Sequence, residues 1–352
     1  MIKKCYLKLY LNNNLGDDLF TKIIAERYPN IEFITFSHKK VKLKIKNLKI
    51  ISGILFKIIN KLLKLFTNSR ITIDKILINR SSITILLGGS MFIEGESGEY
   101  QELKGVNNYY IIGTNFGPHK TDLYLNKIKD IVKASKYTCF RDTKSYNLFE
   151  KECENTNVAP DIIFGLDVSN VNITNNKKVI ISIIDCSTKI GPEYEEKYEQ
   201  KIIELTEYFI DNKYDITYMS FCKNENDELA IERIISRLDE KKAQKVSTYY
   251  YNGNIQEALN ILGDSQIIVG SRFHANILGL ILNKTIIPII YSEKTANVLS
   301  DINFKGKIID IKEIEKFNIN DIVDEDLYYR LDVSNLKKES QKHFLRIDEV
   351  LE

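Results

Sequence analysis

Short runs of β-branched residues alternate with amphipathic stretches of ten residues or more along most of this 352-residue chain. That alternation leaves few folds open. A strand followed by a helix that must return beside a parallel strand builds βαβ units and a mainly parallel sheet. The first half predicts strands over Lys3–Leu11, Ile31–Phe36, Ile83–Leu87, Tyr109–Thr114 and Tyr137–Phe140, with helices over Asp17–Arg27, Leu48–Phe66, Thr121–Ala134 and Thr143–Cys153. The second half repeats the pattern, with strands over Val179–Ile184, Ile216–Phe221, Val246–Tyr250, Gln266–Val269 and Thr285–Ile290. Its helices are Glu193–Asp211, Asp227–Leu238, Ile255–Leu262 and Arg272–Leu282. The polar stretch Asp167–Lys178 separates the two series, and Asn335–Leu351 reads as a terminal helix that packs back across the first domain.

The expected architecture is therefore α/β, with two Rossmann-like doubly wound domains facing a central cleft. Residues 1–168 form the first domain, 169–330 the second, and 331–352 the returning helix. Fifty Lys and Arg against 48 Asp and Glu leave a net charge of +2, which gives no bulk signal for nucleic acid. The five cysteines include no C-x-x-C pair and sit mostly in apolar runs, as buried thiols of a reducing compartment do. The N-terminal apolar run is broken by Lys8 and reads as a strand rather than a secretory leader, and no window reaches the ~18 to 20 apolar residues of a membrane span. A cytoplasmic protein is expected.

In such folds ligands bind beyond the carboxyl ends of the strands, so the loops that follow strands carry the candidates. After the first strand comes Asn14-Leu15-Gly16-Asp17-Asp18, where an acidic residue either caps the helix or accepts a proton from a substrate hydroxyl. Gly88-Gly89-Ser90 and Asn115-Phe116-Gly117-Pro118 are either ordinary turns or places where backbone amides approach an anion. Arg141-Asp142 combines a helix cap with a guanidinium at a strand tip, which either pairs at the surface or binds a carboxylate or phosphate. The most informative stretch is Ile267–Asn276, a buried strand, a Gly-Ser turn and a helix start that gathers Ser271, Arg272 and His274 where free amides attract anions. Lys294 follows the next strand. Three cations, an imidazole and a carboxylate suit a small, highly charged anion. No metal-ligating cluster is visible in the sequence.

Taken in order, Asn14–Asp18, Leu87–Ser90, Ile112–Gly117, Phe140-Arg141-Asp142 with Ser145-Tyr146, Ala159-Pro160-Asp161, Gly270–Ala275, Pro288 and Ser292-Glu293-Lys294 resemble the polysaccharide pyruvyl transferase family. The resemblance implies a fold similar to GT-B glycosyltransferases and transfer of pyruvate from phosphoenolpyruvate to two sugar hydroxyls as a cyclic ketal, in exopolysaccharide or capsule synthesis. It implies that Arg141, Arg272, Lys294 and Ser271 bind phosphoenolpyruvate, that His274 is the acid and that Asp17 is the base, with Asp18 the alternative. Asn14, Gly16, Gly88, Gly89, Ser90 and Asn115 then serve the acceptor or offer backbone amides. Phosphoenolpyruvate is a co-substrate, and no separate cofactor is expected.

Residues 38–80 hold twelve Lys and Arg against one Asp. Ile51–Phe66 within them reads as an amphipathic helix, either a solvated outer helix or a contact with an anionic membrane at its inner face. Two other functions fit the same architecture: a nucleotide-sugar glycosyltransferase, and a non-catalytic binder of anionic glycans.

Overall fold

The computed structural model describes residues 3–66, 73–95, 100–322 and 324–352. The chain divides into two compact units. The first comprises Met1–Asn12, Asp17–Gly165 and Leu336–Glu352, and the second Asn13–Gly16 and Leu166–Asn335.

The first unit is built on a seven-stranded parallel sheet of order β3-β2-β1-β4-β5-β6-β7. The strands are β1 (Lys4–Lys8), β2 (Glu32–Ser37), β3 (Leu48–Ser52), β4 (Ile83–Leu87), β5 (Tyr109–Thr114), β6 (Tyr137–Phe140) and β7 (Thr156–Val158). Every residue of β4, β5 and β6 is buried, which is why these strands read as unbroken apolar runs: helices cover both faces of a parallel sheet. Two expectations change here. Leu48–Phe66 is not one helix, because Leu48–Ser52 pairs with β2 as an edge strand and the helix begins only at Gly53. The short strand β7 carries too little apolar sequence to have been separated from the loop around it.

The terminal segment is broken into helices Ser334–Glu339 and Leu345–Leu351 around a 3-10 turn, and from Leu336 onward it belongs to the first unit. Arg27 donates to Asp348 from Nε at 2.8 Å and from Nη2 at 2.6 Å, in a bidentate ion pair. His343, in the 3-10 turn of this segment, is fully buried. The Gly113 amide donates to its Nδ1 at 3.3 Å, so the proton resides on Nε2, which donates to the Pro160 carbonyl at 2.9 Å. Burial drives this imidazole down to about 4, so it is neutral near pH 7.

The second unit holds a six-stranded parallel sheet, β10-β9-β8-β11-β12-β13. Its strands are β8 (Lys178–Ser182), β9 (Asp215–Ser220), β10 (Val246–Tyr250), β11 (Ile267–Gly270), β12 (Thr285–Ile290) and β13 (Ile309–Asp310). A core of mostly Ile, Val, Leu and aromatic side chains fills one side of this sheet, with Ile181, Tyr198, Phe209, Ile231 and Ile287 among those with no exposure. In both units the strand order reverses beside the first strand, between β1 and β4 and between β8 and β11. Such a switch point leaves room beyond the strand ends for a ligand. All five cysteines are buried thiols outside any disulfide. Among the described residues no helix is long and apolar enough to cross a membrane.

Candidate active site

At the switch point of the second unit, β11 ends in Gly270 and the chain turns through Ser271 and Arg272 into the helix Phe273–Ile281. Arg272 is the N-cap rather than the first helical residue. Its amide donates to Ser182 Oγ at 3.1 Å, which ties the turn to the end of β8. Asn276 reaches back to donate to the Gly270 carbonyl at 2.9 Å. The Ser271 hydroxyl shares a hydrogen bond with Tyr198 Oη at 2.9 Å, while that oxygen also receives the Ile184 amide.

The Arg272 guanidinium is buried and grips Asp227 with two donors. Nε lies 3.1 Å from Asp227 Oδ2 and Nη2 pairs with Oδ1, while Nη1 pairs with Glu225. Asp227 is itself held by the amides of Phe221 and Cys222, at 3.0 and 2.9 Å. Lys189 lies 2.6 Å from Glu225. Burial opposes every charge in this cluster, yet Asp227 and Glu225 hold the guanidinium above its ordinary value. For Glu225, the Arg272 and Lys189 charges overcome burial and bring the carboxyl down to about 2. From the sequence, Arg272 is one of three cations for an anionic ligand. The structure gives it two carboxylates, and these bonds occupy three of its five N–H groups. Asp227 and Lys189 lie on helices and Glu225 in a 3-10 turn, and from the sequence each reads as an ordinary solvated charge.

His274, in the first turn of the same helix, is half-buried and rests against Gly16. A Cβ built on Gly16 would lie 1.7 Å from His274 Nδ1, so only glycine allows the imidazole this position. Leu15 donates its amide to the Phe221 carbonyl at 3.1 Å, and Asn14 forms a bridge with Cys222. These bonds explain why Asn13–Gly16 groups with the second unit, whereas the sequence boundary assigned Asn14 and Gly16 to the first. Lys294 lies in the first turn of the helix Glu293–Asp301, which follows β12, the strand next to β11.

The first unit gathers its own set at the tips of β4 to β7. Arg141, after β6, is buried. Its Nη1 donates to Asp161 Oδ2 at 2.9 Å and its Nη2 to Asn115 Oδ1 at 2.6 Å. The guanidinium lies on Gly89, where a Cβ would come within 2.4 Å of Nη1. Gly89 in turn receives the Asn115 amide at 2.8 Å and the Thr114 hydroxyl at 3.0 Å on its carbonyl. Gly88 is buried beside it, and Ser90 is exposed. Asp142 caps the helix Thr143–Phe149 by accepting the Ser145 amide at 2.8 Å, as expected. The carboxylate that pairs with Arg141 is therefore Asp161 rather than its neighbour. Asp17 stands half-buried in the first turn of the helix Leu15–Arg27, and Asp18 is fully buried.

The polysaccharide pyruvyl transferase family model matches residues 14–293, a span that includes these strand-tip loops and stops one residue before Lys294. The chain belongs to the polysaccharide pyruvyl transferase family. It is accordingly a transferase of polysaccharide biosynthesis, and Asn14, Arg141, Arg272 and His274 all fall within the matched span. No curated protein matches the sequence. Among solved structures, the chain is similar to UDP-GlcNAc 2-epimerase from Methanocaldococcus jannaschii in complex with UDP-GlcNAc and UDP. That likeness has a TM-score of 0.59 at 13% identity and covers 99% of each chain. It is also similar to Anabaena HepE in complex with UDP and glucose, with a TM-score of 0.56 at 10% identity over 100% of this chain and 99% of that one. At such identities these relationships show the fold, a pair of Rossmann-like units of the GT-B kind, as the sequence predicted.

Proposed function

We propose that this pyruvyl transferase takes phosphoenolpyruvate as donor and places pyruvate on two hydroxyls of a sugar in a cell-surface polysaccharide precursor, closing a cyclic ketal and releasing phosphate. The observation that carries the reading is the Ser271-Arg272-Phe273-His274 turn at the second unit's switch point, inside the span matched by the family model. There an oriented guanidinium and an imidazole share one helix start.

In this reading Arg272, Arg141, Lys294 and Ser271 bind the carboxylate and phosphate, with charge-assisted bonds the strongest available to them. His274 delivers a proton to the methylene carbon, which becomes a methyl group and leaves an oxocarbenium-like centre at C2. The first sugar hydroxyl attacks C2 and gives its proton to Asp17. The second hydroxyl then attacks C2 as the C–O bond to phosphate breaks: its proton returns to His274, phosphate leaves with the proton held by Asp17, and the ring closes. Asn14, Gly88, Ser90 and Asn115 border the acceptor, and no cofactor beyond the co-substrate takes part. The acceptor is a sugar or lipid-linked oligosaccharide for capsule or exopolysaccharide, met at the inner face of the cell membrane.

The test incubates the protein with phosphoenolpyruvate and a panel of free and lipid-linked galactose, glucose and mannose acceptors. Phosphate release coupled to a mass gain of the sugar is expected. Thermal stabilisation by uridine-diphosphate sugars, with none by phosphoenolpyruvate, would replace this reading with nucleotide-sugar glycosyl transfer.

A further inference from the structure

The helix Gly53–Phe66 turns apolar side chains outward. Ile54, Leu55, Ile58, Ile59 and Leu62 are between 36% and 64% exposed, whereas an amphipathic helix of a globular domain ordinarily buries such a stripe. At 100° per residue these five positions share an arc of about 140°. Lys57 and Lys61, both exposed, lie along one edge of it. The segment leading into the helix adds Lys39, Lys40, Lys42, Lys44, Lys46 and Lys49, all exposed, and no Asp or Glu occurs between Glu32 and Asp74.

We infer that this face is a docking surface for a bilayer rich in anionic lipid, with the helix lying in the headgroup plane. Charge and apolar area decide between occupants. A second copy meeting this face would bring two lysine-rich patches together with no Asp or Glu of the segment to pair them. An acidic macromolecule would satisfy the lysines and leave five apolar side chains in water. An anionic bilayer satisfies both, since the apolar stripe enters the acyl boundary while each lysine near the surface gains ~1 kcal/mol. Fourteen residues span about 21 Å, too short to cross a hydrocarbon core of about 30 Å, so the helix rests on the membrane. Residues 67–72, with Arg70 of the basic segment, lie outside the described residues. The inference gives a physical basis to the membrane location proposed above and does not depend on the chemistry of the reaction.

Flotation of the full chain with vesicles tests it. The protein is expected to float with phosphatidylcholine vesicles containing phosphatidylglycerol and to remain behind with phosphatidylcholine alone. Lys57→Gln/Lys61→Gln should weaken the partition roughly tenfold or more, since two surface charges are lost. Ile58→Glu/Leu62→Glu should abolish it while the melting temperature and pyruvyl transfer to a water-soluble acceptor stay at wild-type values. A wild-type chain that ignores anionic vesicles, or an Ile58→Glu/Leu62→Glu variant that still floats, overturns the inference. So does an oligomer that this variant dissolves while vesicles capture neither protein, which would assign the face to self-association.

Discussion

Arg272 and Asp227 form a buried two-point ion pair, with Nε 3.1 Å from Oδ2 and Nη2 on Oδ1, at the switch point of the second sheet. The pair links the loop after β11 to the loop after β9 and fixes the plane of the guanidinium before any ligand arrives. Breaking a buried pair from one side leaves an uncompensated charge. Asp227→Asn is therefore expected to destabilise the chain by about 3 kcal/mol in urea unfolding. Replacing both partners, as in Arg272→Met/Asp227→Leu, should recover most of that loss and still bind no phosphoenolpyruvate. Recovery of binding in the double variant would show that Arg272 only braces the fold.

The contact of His274 with Gly16 gives a second expectation. His274→Gln should lower the rate of pyruvyl transfer by ~10²–10⁴-fold, the usual contribution of a positioned acid, with an unchanged melting temperature. Gly16→Ala leaves the imidazole in place chemically but pushes it aside, because the new methyl would need the space of Nδ1. A displacement of about 1 Å should cost roughly 10²-fold in kcat with little change in KM for phosphoenolpyruvate. Wild-type kcat in Gly16→Ala would remove His274 from the reaction.

Arg141 depends on Gly89 in the same way, through the first unit. Gly89→Ala should displace the guanidinium from Asp161 and Asn115 and raise the KM for phosphoenolpyruvate about tenfold or more, equivalent to roughly 1.4 kcal/mol of binding. Initial-rate measurements across donor concentration read this directly, and an unchanged KM would leave Arg141 as a brace between β6 and the Asp161 loop.

His343 predicts a pH dependence of stability. Its folded value lies near 4, below the ordinary 6.5, so at pH 7 it is neutral in both folded and unfolded chains and contributes nothing to the balance. As pH falls from about 6.5 toward 4 the unfolded chain takes up a proton that the folded chain refuses. Stability is lost across that window, on the order of 3 kcal/mol in total. His343→Gln should flatten the fall in melting temperature between pH 7 and pH 5, and an equally steep fall would assign the acid sensitivity to other groups.

The strand pattern, the two parallel sheets and the loops worth inspecting were legible in the sequence. Hydrophobic period and glycine position are local properties, and strands buried on both faces announce themselves as apolar runs. Ser271, Arg272 and His274 stood out because they share one strand-to-helix turn. The edge strand β3 was lost in the apolar periodicity that continues from it into the next helix, and β7 is too short to show a period.

By itself the sequence determined which residues can carry charge, donate protons or bend the chain, and in what order the βαβ units follow. Tertiary structure alone decided the partners: Asp227 lies 45 residues before Arg272, Asp161 lies 20 after Arg141, and Gly16 meets an imidazole 258 positions away. Ion pairing and close contact depend on distance in space, and a parallel sheet brings together strand tips that the sequence holds apart.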